Sequence, residues 1–272
     1  MQATDSPHRN EQPRHIRSFP TVLAGIAAVL IVASTLGAPT ASAAENQPTV
    51  EGVWRVTRHG VNCQTGAQLS SFPAIMVCGI DISESLLSAA RRHCAHRPWV
   101  EFRQADATAV PFPDRAFDAA ISTQVLEYVR DVDAALAEIH RVLRPGGRVV
   151  IVDTDWDSIV WDSPNRERMS RILAAWEQHA ADVHLPRTLA RRLSQAGFRT
   201  QLQRVVPLFN PSYDPNTYSN RIIDLIVPFV SGRNGITRDE AEGWANELRQ
   251  SGKHGSYFFS LNRYLFVAHK GK

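Results

Sequence analysis

Between Ile75 and Asp153 the chain repeatedly runs an apolar segment into a polar residue, with helix-type or turn-type sequence in between. The runs are "IMVCGID", "WVEFRQAD", "AFDAAIST" and "RVVIVD". Ser83 precedes a segment with Leu86, Leu87 and Ala90 on one face, which predicts a capped amphipathic helix. Asp131 and Asp133 open another, with Val132, Leu136, Ile139, Val142 and Leu143 apolar, basic residues in its last turn and "PGG" as its stop. "RVVIVD" has the composition of a parallel strand buried on both faces. Strands alternating with helices predict an α/β, doubly wound, mostly parallel sheet.

The C-terminal third reads differently. Ser163 and Pro164 start a helix reaching about His179, and "LARRLSQAGF" is a second, ending at Gly197. "RTQLQRVVPLF" and "SYFFSLNRYLFVAHK" read as strands that pair as an antiparallel edge. The helical insertion between them, about 212–252, holds "YSNRIIDLIVPFV" and a helix capped by Thr237 and Glu240.

The N-terminus has another character. Arg9, Arg14, His15 and Arg17 precede the uncharged run Thr21–Ala38, and "ASA" at Ala41–Ala43 offers a small-residue cleavage site. That layout predicts a secretory signal peptide over 1–44, with an uncleaved membrane anchor contacting lipid through 21–38 as the alternative and a misassigned start codon as a third. A secreted or membrane-anchored location follows from it. Residues 45–77 form an atypical segment, and 78–272 the α/β domain.

Composition excludes little else. The chain has 272 residues, 43% hydrophobic and 21% charged, and its net charge of +3, with no block of like charges, argues against nucleic acid as a partner. Three cysteines, an odd number without motif spacing, do not suggest a disulfide framework. "HCAH" at His93–His96 has no second ligand pair and reads as surface histidines, so no metal site is expected.

In such a sheet, ligands bind beyond the carboxyl ends of the strands, where Asp81, Asp106 and the Ser122–Thr123–Gln124 step fall. A carboxylate accepts both hydroxyls of a ribose, and Asp106 is able to accept from an exocyclic amine. Past the strand ends, Tyr128, Asp155 and Trp156 are candidates to face a second substrate, and no catalytic residue is assigned.

"GIDISESLLSAAR" and the stretch from "VEFRQADATAVPFPDRAFD" through "LRPGGRVVIVD" resemble the class I S-adenosylmethionine-dependent methyltransferases, in particular the group that includes the ubiquinone and menaquinone C-methyltransferases. The resemblance implies a seven-stranded Rossmann-like sheet with an antiparallel last strand, S-adenosylmethionine as cofactor and a small-molecule methyl acceptor. It further implies Asp81 on the ribose, Ile82 against the adenine, Asp106 and Ala107 at the adenine edge and Thr123 beside the methionine. The domain alone would be expected in the cytoplasm.

One expected part is missing. The family carries a strand and glycine-rich loop roughly 20 residues before the acid. Here "VNCQTGAQL" places Asn62 and Gln64 where glycines belong, leaving Gly66. The first strand and loop therefore read as incomplete. Either a degenerate loop works in a divergent enzyme, or a secreted protein's start has been joined near Val77 to a domain lacking its first strand. The expected function is methyl transfer impaired by that loss. The alternative is a non-catalytic secreted or tethered protein that keeps the fold. A dehydrogenase is a third reading, lacking its G-x-G-x-x-G fingerprint.

Overall fold

The computed structural model describes residues 29–34, 60–61, 68–69 and 76–272, with side chains from residue 77 onward. The strands are β1 (Val29–Ser34), β2 (Gly60–Val61), β3 (Gln68–Leu69), β4 (Met76–Asp81), β5 (Val100–Gln104), β6 (Phe117–Thr123), β7 (Leu143–Trp161), β8 (Phe198–Asn210) and β9 (Phe259–Lys270). The helices are α1 (Glu84–His93), α2 (Val132–Val142), α3 (Arg166–Trp176), α4 (Pro186–Gln195), α5 (Tyr218–Val230) and α6 (Arg238–Lys253).

Seven strands form one sheet in the order β5-β4-β1-β6-β7-β9-β8, and β2 and β3 make a separate two-stranded pair. The neighbours β4 and β5 run parallel, as do β6 and β7. Against them β9 runs antiparallel to both β7 and β8, the expected C-terminal reversal. The carboxyl ends of β4, β5, β6 and β7 consequently share one edge.

Helix starts follow their sequence signals. Side chains of Ser83, Asp131, Asn165 and Thr237 accept from Leu86, Ala134, Arg168 and Glu240 N–H groups and so satisfy donors that the first helical turn leaves open. At α3 the cap is Asn165, two residues beyond the expected Ser163 start. Two apolar cores result. One joins the sheet to α2 and α4 through residues such as Phe117, Leu136, Ile139, Val149 and Leu189. The other packs Trp156, Trp161, Trp176, Trp244 and Phe259 under α3, α5 and α6.

Part of the segment read above as a signal peptide or membrane anchor lies in the sheet. Val29–Ser34 lies between β4 and β6 and runs antiparallel to both. "VLIVAS" is rich in β-branched residues, and a short apolar run of that kind fits a buried strand as well as an export signal. The rest of 1–44, the site at Ala41–Ala43 and most of 21–38 included, lies outside the described residues. Among the described residues no helix is long and apolar enough to cross a membrane. Cys78 is disulfide-bonded, which an odd cysteine count did not suggest, and Cys94 is free.

Candidate functional site

Two groups of residues gather on the carboxyl edge of the sheet. The first lies at the ends of β4 and β5. Asp81 closes β4, is half-buried, and accepts from Ser83 N–H on Oδ1 at 2.7 Å. Partial burial raises its pKa, with the Ser83 hydrogen bond opposing. Among the described residues Oδ2 has no partner, so a pair of hydroxyls has an acceptor available there. Ile82 follows with 68% of its surface exposed, an uncovered apolar platform next to an acceptor. The backbones interlock here, since Ala105 N–H donates to Asp81 O and Gln104 Nε2 to Ile82 O, 3.0 and 2.9 Å.

Two residues beyond β5, Asp106 lies on the same edge. Its Oδ1 accepts from Thr108 N–H and Oγ1, both at 2.8 Å, in a tight turn that buries Ala107. Thr123 ends β6, beside the pairing of Ser122 with Ile151. Asp81, Ile82, Asp106, Ala107 and Thr123 thus all fall at or just past strand ends on one edge. An acidic acceptor, an apolar platform and a second acidic turn fit the ribose and adenine of S-adenosylmethionine.

Between these strand ends lies β1, with Val29 opposite Thr123 and Leu30 opposite Ile80. Because β1 is reversed, the chain enters the central strand at this edge instead of leaving it. No strand-to-loop turn delivers backbone N–H groups to the edge from the sheet's central strand.

The second group lies past β6 and along the middle of β7, which runs on to Trp161, and is buried. Glu127 and Asp153 both have no exposed surface. Glu127 Oε2 accepts from Thr154 N–H at 3.1 Å, whereas its Oε1 has no partner. Neither oxygen of Asp153 meets a donor at normal geometry. Around them the buried polar groups of Tyr128, Tyr218, Trp156, Gln124 and Arg263 gather, with Trp156 and Tyr128 turned to the Glu127 carboxyl and Arg263 to the Tyr218 hydroxyl.

Burial pushes the Glu127 carboxyl up to about 7, opposed by the Thr154 N–H, Trp156, Tyr128 and the Arg263 charge. Asp153 is pushed well above the usual carboxylate range by burial and then by Glu127, with backbone N–H groups of Val125 and Glu127 and the Arg263 charge opposing. Two acids in one dry space cannot both ionise, so the pair holds a proton near neutrality.

The backbone is strained beside this buried pair. Gln124, only 2% exposed, takes a left-handed φ of 54° that disfavours residues with a Cβ. Its N–H is held by Val152 O at 2.8 Å and its Oε1 by Thr154 Oγ1 at 2.9 Å. Aromatic rings pack beside it. His179, whose Nδ1 meets Trp176 O at 2.6 Å, lies 4.5 Å from the Trp156 ring and 5.9 Å from Tyr128. Burial pulls the His179 pKa down to about 4, so the ring is neutral.

Of the residues expected past the strand ends to face a second substrate, Tyr128 lies beyond β6 and beside Glu127, whereas Trp156, also beside Glu127, and Asp155 lie within β7, which continues to Trp161. Arg187 grips both Asp155 oxygens at 2.8 and 2.9 Å and bridges to Asp157. Asp155, Asp157 and His184 offer atoms within 4.8 Å of one another, a spacing that a metal uses, but the Arg187 guanidinium already occupies both carboxylates. Glu127, Asp153, Tyr218 and Arg263 had not been singled out. The signal for Asp153 was the same as for Asp81, an acid closing an apolar strand. Glu127 stood out only as a lone acid inside "VLEYV".

Known proteins share this architecture. Residues 60–151 match the family described as "Methyltransferase domain", so the matched stretch reaches back through Asn62 and Gln64. An uncharacterised 37.1 kDa protein of a Streptomyces fradiae transposon is 36% identical over 54% of this chain and 44% of its own length. An O-methyltransferase of Penicillium expansum is 37% identical over 51% and 50%. A demethylmenaquinone methyltransferase of Thermus thermophilus is 43% identical over 30% and 37%. The chain thus spans about half or less of the length of these relatives. A crystal structure from Bacillus halodurans titled as a methyltransferase matches with a TM-score of 0.50 at 15% identity, covering 71% of this chain and 82% of that one, and shares the fold.

Proposed function

From the premise that the chain carries a class I S-adenosylmethionine-dependent methyltransferase domain, we propose that it moves a methyl group from S-adenosylmethionine to a small-molecule acceptor. The observation that carries this reading is the pairing of the half-buried Asp81 with the exposed Ile82 at one strand end, opposite the Asp106 turn. The sulfonium cofactor supplies an activated methyl group. The protein's share is to align the acceptor with it and to exclude water. Relatives named for O-methyl and demethylmenaquinone transfer support a small acceptor over a macromolecule.

Cofactor binding is weak in this reading. A glycine-rich loop at the end of a central strand brings backbone N–H groups close to a ligand, and the reversed β1 provides none from that position. The same reading keeps residues 29–34 with the domain, in the cytoplasm where the cofactor is made. N-terminal sequencing of protein from a secreting host then finds Met1 and not Ala44.

The test is calorimetric titration with S-adenosylhomocysteine. Measurable but weak binding is expected. Tight binding shows that the Asn62–Gly66 segment works as a loop despite its side chains. No binding at all favours the second reading, a non-catalytic protein that retains the fold, for which the reversed central strand is the specific observation.

A further inference from the structure

We propose that the outer edge of β5 is a docking site for an extended, acidic segment of a partner protein, which joins the sheet there as an additional strand. The inference is independent of what binds beyond the strand ends.

The backbone of β5 is used on one side. Its bonding to β4 begins with Val77 N–H on Trp99 O and ends with Ala105 N–H on Asp81 O, at 2.9 and 3.0 Å. A strand's N–H and C=O groups point to alternate sides, residue by residue. Trp99, Glu101, Arg103 and Ala105 therefore face β4, and Val100, Phe102 and Gln104 turn theirs outward. Val100 N–H is taken by Arg97 O, and Phe102 O accepts from Arg91 Nη2 at 3.3 Å. Among the described residues, the N–H groups of Phe102 and Gln104 and the carbonyls of Val100 and Gln104 have no partner.

The two ends of the sheet are unlike. At the far end β8 carries Pro207, which offers no donor to an added strand. β5, "VEFRQ", contains no proline. A groove of about 330 Å³ lies between β5, the last turn of α1 and the Arg97–Pro98 connection. Successive side chains of a strand point to opposite faces, so every second side chain of an added strand would enter this groove. Main-chain hydrogen bonds would hold such a segment, and the groove would select it.

Charge decides what is selected. Arg91, Arg97 and Arg103 line the groove, and Glu101 is the one acid in the lining. Carboxylates suit that lining. The same arginines oppose pairing of β5 with a second copy of itself, because like charges facing each other across strands repel. Open amides and carbonyls at strand spacing match a polypeptide better than a phosphate backbone, which has no donors to give.

The experiment uses the full chain labelled with 15N, and the probe is a blocked peptide of alternating glutamate and valine. In the free chain the Phe102 and Gln104 amides exchange quickly with solvent, and those of Glu101 and Arg103 slowly. The peptide slows Phe102 and Gln104 by about tenfold or more and leaves the other two unchanged. Methylating alternate backbone nitrogens of the peptide, or replacing its glutamates by lysines, weakens binding about tenfold or more in fluorescence anisotropy. Arg97→Glu, on an exposed turn, weakens the acidic peptide to a similar degree and strengthens the lysine one.

Phe102 and Gln104 amides that are already protected in the free chain overturn the proposal, since the edge is then covered. So does protection that grows with protein concentration alone, which assigns the edge to a second copy. A peptide that leaves the two amides exposed, or that binds equally well after backbone methylation, also overturns it. The same holds for a thymidine oligonucleotide that protects them as well as the peptide does.

Discussion

The sheet has two halves, and they differ in how their ends are made. From β6 through β8 each strand is announced in the sequence, though β7 runs from Leu143 to Trp161, well beyond the "RVVIVD" read from the sequence. β7 pairs with β9 from Arg148 to Trp161, β9 pairs with β8 from Phe198 to Asn210, and the helices on this side start at side-chain caps. From β5 to β1 the outer strands are equally regular, but the central place is filled by a reversed segment drawn from far upstream. Both halves present carboxylates at the same edge. Only the first buries them, beside Tyr218 and Arg263. On the other half Asp81 is half-buried and Ile82 exposed. A parallel sheet supplies the acids at its edge by topology alone, whereas the parts that wrap a ligand must come from loops and helices added to it.

The sharpest way to break this comparison is to remove the reversed strand. Deleting residues 1–44, or introducing Val32→Pro where Val32 faces Cys78 on one side and Ala120 on the other, exposes the edges of β4 and β6. Cooperative unfolding, followed by circular dichroism, should be lost. A truncated chain that melts at the unchanged temperature would mean that another segment serves as the central strand. Next in size is Trp244→Ala. Trp244 is fully buried beside Trp161, so truncation should cost about 3–5 kcal/mol in denaturant titrations. Asp81→Ala should leave that stability nearly unchanged, so the two variants separate the halves.

How far the sequence foretold this depends on which half is considered. Strand–helix alternation after Val77 placed β4 to β7, α1 and α2 because apolar periodicity and capping residues are local signals. The reversal at β9 was readable for the same reason. β1 was not, since six apolar residues look alike whether they enter a sheet or a membrane, and pairing partners far along the chain leave no local mark. Asp81 and Asp106 were found as acids ending strands. Glu127 and Asp153 matter because they are buried side by side, and burial of that kind becomes visible only after packing.

A third measurement compares the acids of the two halves. Glu127 is raised in the folded protein, so its contribution to stability is fully present below its unfolded value near 4.5 and is lost as pH rises through about 7. His179 acts oppositely, with stability present above about 6.5 and lost as pH falls through about 4. In wild type the two slopes offset each other between about pH 4.5 and 6.5. Glu127→Gln should remove the Glu127 part of the decline toward high pH, leaving the part due to Asp153, which burial also raises, and so should raise stability at pH 8 relative to wild type. An unchanged pH profile would show that Glu127 is not the acid held neutral. The smallest effect is expected at Asp81→Ala. It should weaken S-adenosylhomocysteine binding at least tenfold, about 1.4 kcal/mol, with little change in melting. Equal affinity in the variant would remove Asp81 from the cofactor group.

The pairing pattern also dictates the order in which the molecule is able to assemble. Arg148 pairs with His269 and Val29 with Thr123, so both the centre and the far side of the sheet are closed by partners distant along the chain. β8 has no partner in this sheet other than β9, and β4 and β6 have none on their inner sides other than β1. Until these late contacts form, several strands present open backbone edges to any neighbouring chain. Contacts of such long range make folding slow and aggregation a competing outcome. The yield of native protein should thus be set by dilution and temperature during refolding more than by its final stability.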